Sequence, residues 1–203
     1  MLIAVLAVVA AALPAAGARQ AVGTFQYVVE PDPRACPSPL CGGYWVAVAN
    51  HARTVCHDGT RRPRCYVAIT TRSRGIPDGS IVRANLDSME FDGFGMLGVL
   101  VVADVRAPAG HGPRGPYSRV RDLGIRCVRA PCFSLRASRL NRAYHLTIST
   151  LDLGPARLSE AVRARAEAAL ATKSGLFVSG RIASTPDGGR VLEVSRVYLR
   201  GAT

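Results

Sequence analysis

Six cysteines carry the most chemistry at fixed spacing in this chain: Cys36, Cys41, Cys56, Cys65, Cys127 and Cys132. Thiols in such arrangements close disulfides, hold zinc as thiolates, or act as nucleophiles. A nucleophile needs one cysteine left over, against the even count. A four-thiolate zinc site from Cys36, Cys41, Cys56 and Cys65 would have the pattern C-x4-C-x14-C-x8-C. That is looser than the usual C-x2-C knuckles and stands as the rival to disulfides.

A recurring frame turns the disulfide reading into a pairing. Cys36-x4-Cys41 is followed nine positions later by Asn50, and Cys127-x4-Cys132 by Asn141, an offset of 91 throughout. Tyr27 and Asp32 match Tyr117 and Asp122 if one residue is inserted, and Leu100–Val105 aligns with Leu192–Val197. We read a tandem repeat. The second copy has two cysteines, so Cys127 pairs with Cys132, Cys36 with Cys41 by equivalence, and Cys56 with Cys65. Loops this short remove little unfolded-chain entropy, so the bridges chiefly fix the loops that carry them, which Pro37, Pro39 and Pro131 stiffen further.

Other reactive types are present without the spacing that chemistry requires. His51, His57, His111 and His145 form no H-E-x-x-H pair, and no G-x-S-x-G occurs. Gly93-Phe-Gly-Met-Leu-Gly98 fits G-x-G-x-x-G, but an apolar β-type run follows where a nucleotide site needs a helix. The expectation is a glycine bend, no nucleotide and no cofactor. Asp87, Glu90 and Asp92 offer oxygen ligands in one stretch without EF-hand spacing, so no metal is expected there.

The net charge is +12, from 26 basic and 14 acidic side chains, and every basic residue but Lys173 is arginine. Residues 19–108 carry a net +2 and residues 109–203 a net +10. Arg119, Arg121, Arg126, Arg129, Arg136, Arg139 and Arg142 crowd into one stretch whose only acid is Asp122. Such a patch can hold polyanions through salt-sensitive contacts, or simply solvate a face. These seven are the candidate binding residues, and the expectation for nucleic acid is non-specific attraction only.

Several blocks resemble a family of exported bacterial domains of unknown function. They are Arg34-Ala-Cys-Pro-Ser-Pro-Leu-Cys-Gly-Gly-Tyr44, then Asn50, Thr54, Cys56, Asp58-Gly59 and Cys65-Tyr-Val-Ala68. Phe91-Asp-Gly-Phe-Gly-Met-Leu-Gly98, Gly124-Ile-Arg-Cys-Val-Arg-Ala-Pro-Cys132 and Leu140-Asn141 resemble its later blocks. The match spans about 27–200. The resemblance implies a secreted protein of actinobacterial or myxobacterial type and brings no activity, cofactor or catalytic residue with it.

The elements that must position these residues follow from composition and pattern. Residues 1–18 are uncharged and apolar up to Pro14, ending in Ala16-Gly17-Ala18, which reads as a signal peptide cut before Arg19 although the usual basic start is missing. A chain that is 48% hydrophobic and 20% charged is neither disordered nor polytopic. Twenty glycines and 13 prolines favour turns and short strands. Strands are expected at 44–49, 65–71, 80–86, 98–105, 144–150, 175–182 and 191–199, with a turn at Asp58-Gly59, a hairpin turn at Pro186–Gly189 and a connector at 107–115. One helix is expected over about 159–172, capped by Ser159 and carrying an apolar stripe of Leu158, Val162, Ala166, Ala169 and Leu170. The fold class is therefore mainly β, all-β to α+β. A first β repeat spans 19–108 and a second, with the helix, 109–203, as related sheets around a shared core with disulfide-pinned loops.

The function these readings favour is a non-enzymatic exported binding or structural module, secreted, periplasmic or envelope-associated, with no membrane anchor after cleavage. Its arginine-rich face would take an anionic cell-envelope polymer or an acidic protein. Two alternatives stay open: a secreted hydrolase with a dispersed site near His57 or His145, and a protease inhibitor presenting Cys36–Cys41 or Cys127–Cys132 as a rigid loop with Arg126 and Arg129.

Overall fold

Alternation of inward apolar and outward polar side chains dictates most of this chain. In the computed structural model, which describes residues 23–72 and 74–201, the first half opens with β1 (Phe25–Pro31), whose Tyr27 and Val29 turn inward, and β2 (Tyr44–Val48), with Val46 and Val48 inward. A small separate hairpin, β3 (Thr54–Val55) and β4 (Arg61–Arg62), leads to β5 (Cys65–Val67) and β6 (Ile69–Thr70). Two long strands, β7 (Ser80–Phe91) and β8 (Gly95–Ala109), form a hairpin whose turn carries Gly93 and Gly95, both with positive φ. The G-x-G-x-x-G run is thus a bend into a strand.

The second half is also built mainly of strands. It comprises β9 (Tyr117–Asp122), β10 (Leu135–Arg139), β11 (His145–Ile148), β12 (Thr150–Asp152), a 3-10 turn at Gly154–Ala156, helix α1 (Glu160–Leu170), β13 (Leu176–Ser184) and β14 (Arg190–Leu199). Ala166 is fully buried, and Leu158, Val162, Ala169 and Leu170 pack the helix against the second core. Ser159 occupies the N-cap position in extended conformation, yet its side chain makes no capping hydrogen bond, contrary to expectation.

In each half the sheet closes on itself. In the first, β2 pairs β1 and β5, β1 pairs β7, β7 pairs β8, and β6 returns parallel to β8. In the second, β10 pairs β9 and β11, β9 pairs β13, β13 pairs β14, and β12 returns parallel to β14. Counting β5–β6 and β11–β12 as one strand each, the order is first, second, third, fifth, fourth, and back to first. That is the connectivity of the small five-stranded Greek-key barrels of the OB type. A bulge between Ser179 and Gly180 bends β13, and a Cβ at Gly180 would overlap the carbonyl of Glu193, so only glycine fits there.

The halves join edge to edge where Val197–Leu199 of β14 pairs antiparallel with Ala107–Ala109 of β8, giving one twelve-stranded sheet. What the two halves share is small. Each barrel has its own core, built around Tyr27, Val46 and Leu100 in the first and Ile148, Leu176 and Leu192 in the second. The seam holds a third, smaller cluster of Ala49, Ile81, Leu140, Phe177 and Tyr198. A closed barrel fills its interior from its own strands, which leaves only outer faces to meet at the seam.

All six cysteines are paired, Cys36–Cys41, Cys56–Cys65 and Cys127–Cys132, which removes the zinc alternative. Among the described residues no helix is long and apolar enough to cross a membrane. The expected signal peptide lies outside the described residues.

Candidate functional site

The seven arginines singled out by composition separate into three groups. Ser118 and Val120 of β9 point into the second barrel, which turns Arg119 and Arg121 outward. Leu135 and Ala137 do the same for Arg136 on β10. Register places Arg136 directly across from Arg121, and Arg119 two positions along the same face. The second group, Arg126 and Arg129, sits in the loop after β9. Arg126 holds Asp122 at 3.2 Å, and the Asp122 carboxyl is kept below the usual carboxylate range first by that side-chain hydrogen bond and then by the amide of Gly124. Arg129 is exposed inside the Cys127–Cys132 loop, beside the fully exposed Val128. The third group, Arg139 and Arg142, lies at the seam, where Arg142 donates through Nε and Nη2 to the Asn50 carbonyl at 3.1 and 2.8 Å.

Arg121 and Arg136 are an uncompensated pair. Like charges directly opposite on an antiparallel ladder destabilise it, by a few tenths to about 1 kcal/mol. None of the ion pairs among the described residues includes Arg119, Arg121 or Arg136. Arg136 Nε is also buried without a hydrogen-bond partner. Burial, then the neighbouring Arg121 charge, lowers the pKa of Arg119. An anion laid across β9 and β10 would meet the charges of Arg119, Arg121 and Arg136.

The equivalent face of the first barrel is occupied by the protein itself. Trp45 on β2 stands 91 positions before Arg136 and lies opposite Tyr66 of β5, ring centroids 5.6 Å apart and edge to face. The Arg34 guanidinium sits 5.2 Å from the Trp45 ring and 4.9 Å from the Tyr66 ring while gripping Asp32 at 2.9 Å. Trp45 Nε1 donates to Asp32 Oδ1 and the Tyr66 hydroxyl donates to the Pro39 carbonyl. Hydrogen bonding from Arg34 holds the Asp32 carboxyl below its ordinary range. This cluster fastens the Cys36–Cys41 loop to the barrel, and sequence reasoning missed it. The signal available was the single tryptophan, standing where the second half has arginine.

Two cavities open beside the seam. One, of about 510 Å³, is walled by Phe25, Tyr27, Val48 and Val55, with His51, Arg53 and Arg61 around it. The other, of about 490 Å³, is lined by Asn50, Pro116, Arg139, Arg142 and Tyr144. Shifted by 91 positions, Phe25, Val48, His51 and Arg53 become Pro116, Arg139, Arg142 and Tyr144. The first cavity is apolar where the second is cationic.

Among the described residues no histidine is hydrogen-bonded to a hydroxyl, thiol or carboxylate. Both ring nitrogens of His57 are buried without a hydrogen-bond partner, so no hydroxyl, thiol or carboxylate engages it. His145 is exposed on β11, and His51 Nε2 lies 2.9 Å from the Asn141 carbonyl. Asp87, Glu90 and Asp92 gather no metal site, since no group of three or more potential ligands converges among the described residues.

A family model described as a domain of unknown function (DUF6748) covers residues 25–201. No curated protein and no solved structure matches the chain.

Proposed function

The chain belongs to that family of unknown function, matched over nearly its whole described length, and from this premise we propose an exported, non-enzymatic module that binds an anionic polymer through the outer face of β9 and β10. The observation that carries this reading is the Arg121–Arg136 cross-strand pair, unneutralised and with an orphaned Nε. Barrels of this connectivity take oligomeric ligands on the outer face around their second and third strands, and Arg136 lies on the second strand of its barrel. An anionic cell-envelope polymer satisfies these arginines along its length, and an acidic protein is the alternative partner. Nucleic acid would be held by the same charges without base readout.

We infer that the protein is exported. Three disulfides fit an oxidising compartment, and the apolar residues 1–18 supply the address, so the module acts as a secreted, periplasmic or envelope-associated protein. We propose too that the halves arose by tandem duplication. Their common strand connectivity and the 91-residue offset of the seam contacts support it.

Binding of sodium polyphosphate and of poly-L-glutamate, each titrated against salt, tests the function. Arg121→Glu with Arg136→Glu should weaken binding about tenfold or more and lower the salt slope by about 1.5–2, the share of two phosphate contacts. An unchanged affinity and slope would remove this face from the reading.

A further inference from the structure

We propose that the 510 Å³ cavity of the first barrel is a binding site for a small amphipathic anion, an apolar ring or short chain ending in a carboxylate, sulfonate or phosphate. Its volume lies within the range of small-molecule pockets, and its wall of Phe25, Val48 and Val55 suits an apolar body. Arg53 and Arg61 stand exposed around it, and neither is in an ion pair among the described residues. Arg53 Nη1 donates to the Arg61 carbonyl at 3.2 Å, which holds the two residues together. Tyr27, fully buried, forms part of the lining and carries a hydroxyl with no hydrogen-bond partner.

The matching position in the second half supports the selectivity. There Arg139 replaces Val48 and Pro116 replaces Phe25, so the apolar wall is lost. Of these two matching cavities, the first is the one that combines an apolar wall with charges around it. The occupant is therefore a monomeric amphiphile rather than a polymer, and the site goes beyond the polyanion face of β9 and β10.

The test is fluorescence titration of the purified full chain with 1-anilinonaphthalene-8-sulfonate, competed with dodecanoate below its micellar concentration. Saturable binding at one site, displaced by dodecanoate, is expected. Ala52→Trp, an exposed lining position that can be enlarged without touching the core, should abolish binding while near-ultraviolet circular dichroism retains its fine structure. Arg53→Ala with Arg61→Ala should weaken binding about tenfold, in line with loss of charge-assisted contacts. Arg121→Glu with Arg136→Glu should leave it unchanged, which separates this site from the polymer face. Three results would each overturn the proposal: no saturable binding, binding that survives Ala52→Trp and the arginine variants intact, or dodecanoyl chains engaged only within anionic vesicles.

Discussion

Asn50 and Asn141 each dock into the other half of the molecule through the same set of hydrogen bonds. Asn50 Nδ2 donates to the carbonyls of Tyr117 and Leu140, and its Oδ1 accepts from the Tyr117 amide. Asn141 Nδ2 donates to the carbonyls of Gln26 and Ala49, and its Oδ1 accepts from the Gln26 amide. Both residues are left-handed, with φ of 63° and 55°, a region asparagine tolerates and alanine does not. Two side chains thus lock the barrels in a near-symmetric embrace.

Asn141→Ala should destabilise the fold by about 2–4 kcal/mol, combining lost hydrogen bonds with left-handed strain. Asn141→Gly should recover about 1 kcal/mol of that, because glycine keeps the backbone conformation without restoring the contacts. Urea unfolding of both variants provides the check, and equal losses would show that strain has no part.

Relieving the cross-strand charge pair should raise stability. Arg121→Thr is expected to gain a few tenths to about 1 kcal/mol, since it removes a like-charge neighbour and places a β-branched residue on a strand. The same variant should bind polyphosphate more weakly. A loss of stability at Arg121→Thr would mean that the arginine pair is packed favourably without an anion.

The three bridges should differ in resistance to reduction. Cys56 and Cys65 are buried, at 7% and 2% exposure, whereas Cys127 is exposed. Alkylation of the unreduced protein should find no free thiol. Timed dithiothreitol treatment should open Cys127–Cys132 before Cys56–Cys65. Each bridge closes so short a loop that its loss should cost about 2 kcal/mol, read by denaturation of paired Cys→Ala variants. Simultaneous opening of all three would contradict the burial difference.

Burial pushes the Tyr27 phenol up to about 12, against about 10 in an unfolded chain. Between these values the unfolded state has lost the proton and the folded state retains it, so stability falls as pH rises from 10 to 12 and is fully present below 10. The slope from this residue is at most about 1.4 kcal/mol per pH unit. Tyr27→Phe should remove that share, measured by denaturant midpoints at pH 9, 10.5 and 11.5. An unaltered slope would place the alkaline sensitivity elsewhere.

Local patterns in this sequence reported local structure well. The repeated C-x4-C frame predicted all three disulfides, and the apolar stripe of Leu158, Val162 and Ala166 located the helix. Among the strands that escaped notice are β1, β9 and β10. In β9 and β10 arginine takes the outward positions, as in Ser118-Arg-Val-Arg121 and Leu135-Arg-Ala-Ser-Arg139, so the alternation read as a charge cluster. Arginine spacing along the chain likewise could not show that Arg121 and Arg136 face each other while Arg142 serves the seam, because strand register decides it. The barrels themselves depend on β6 and β12 returning parallel to strands some 30 to 40 positions later, contacts with no local signature.

The seam also fixes an order of events. Hydrogen bonds from Asn50 and Asn141 span 67 to 115 residues, while each barrel closes largely through neighbours in its own half. Loop closure costs more entropy the farther apart the partners lie. The first barrel can therefore close as soon as its strands are available, with the Ala49 carbonyl left as a waiting latch for Asn141. Only when the later segment supplies Asn141 does the latch shut, so docking is expected to follow closure of the first barrel.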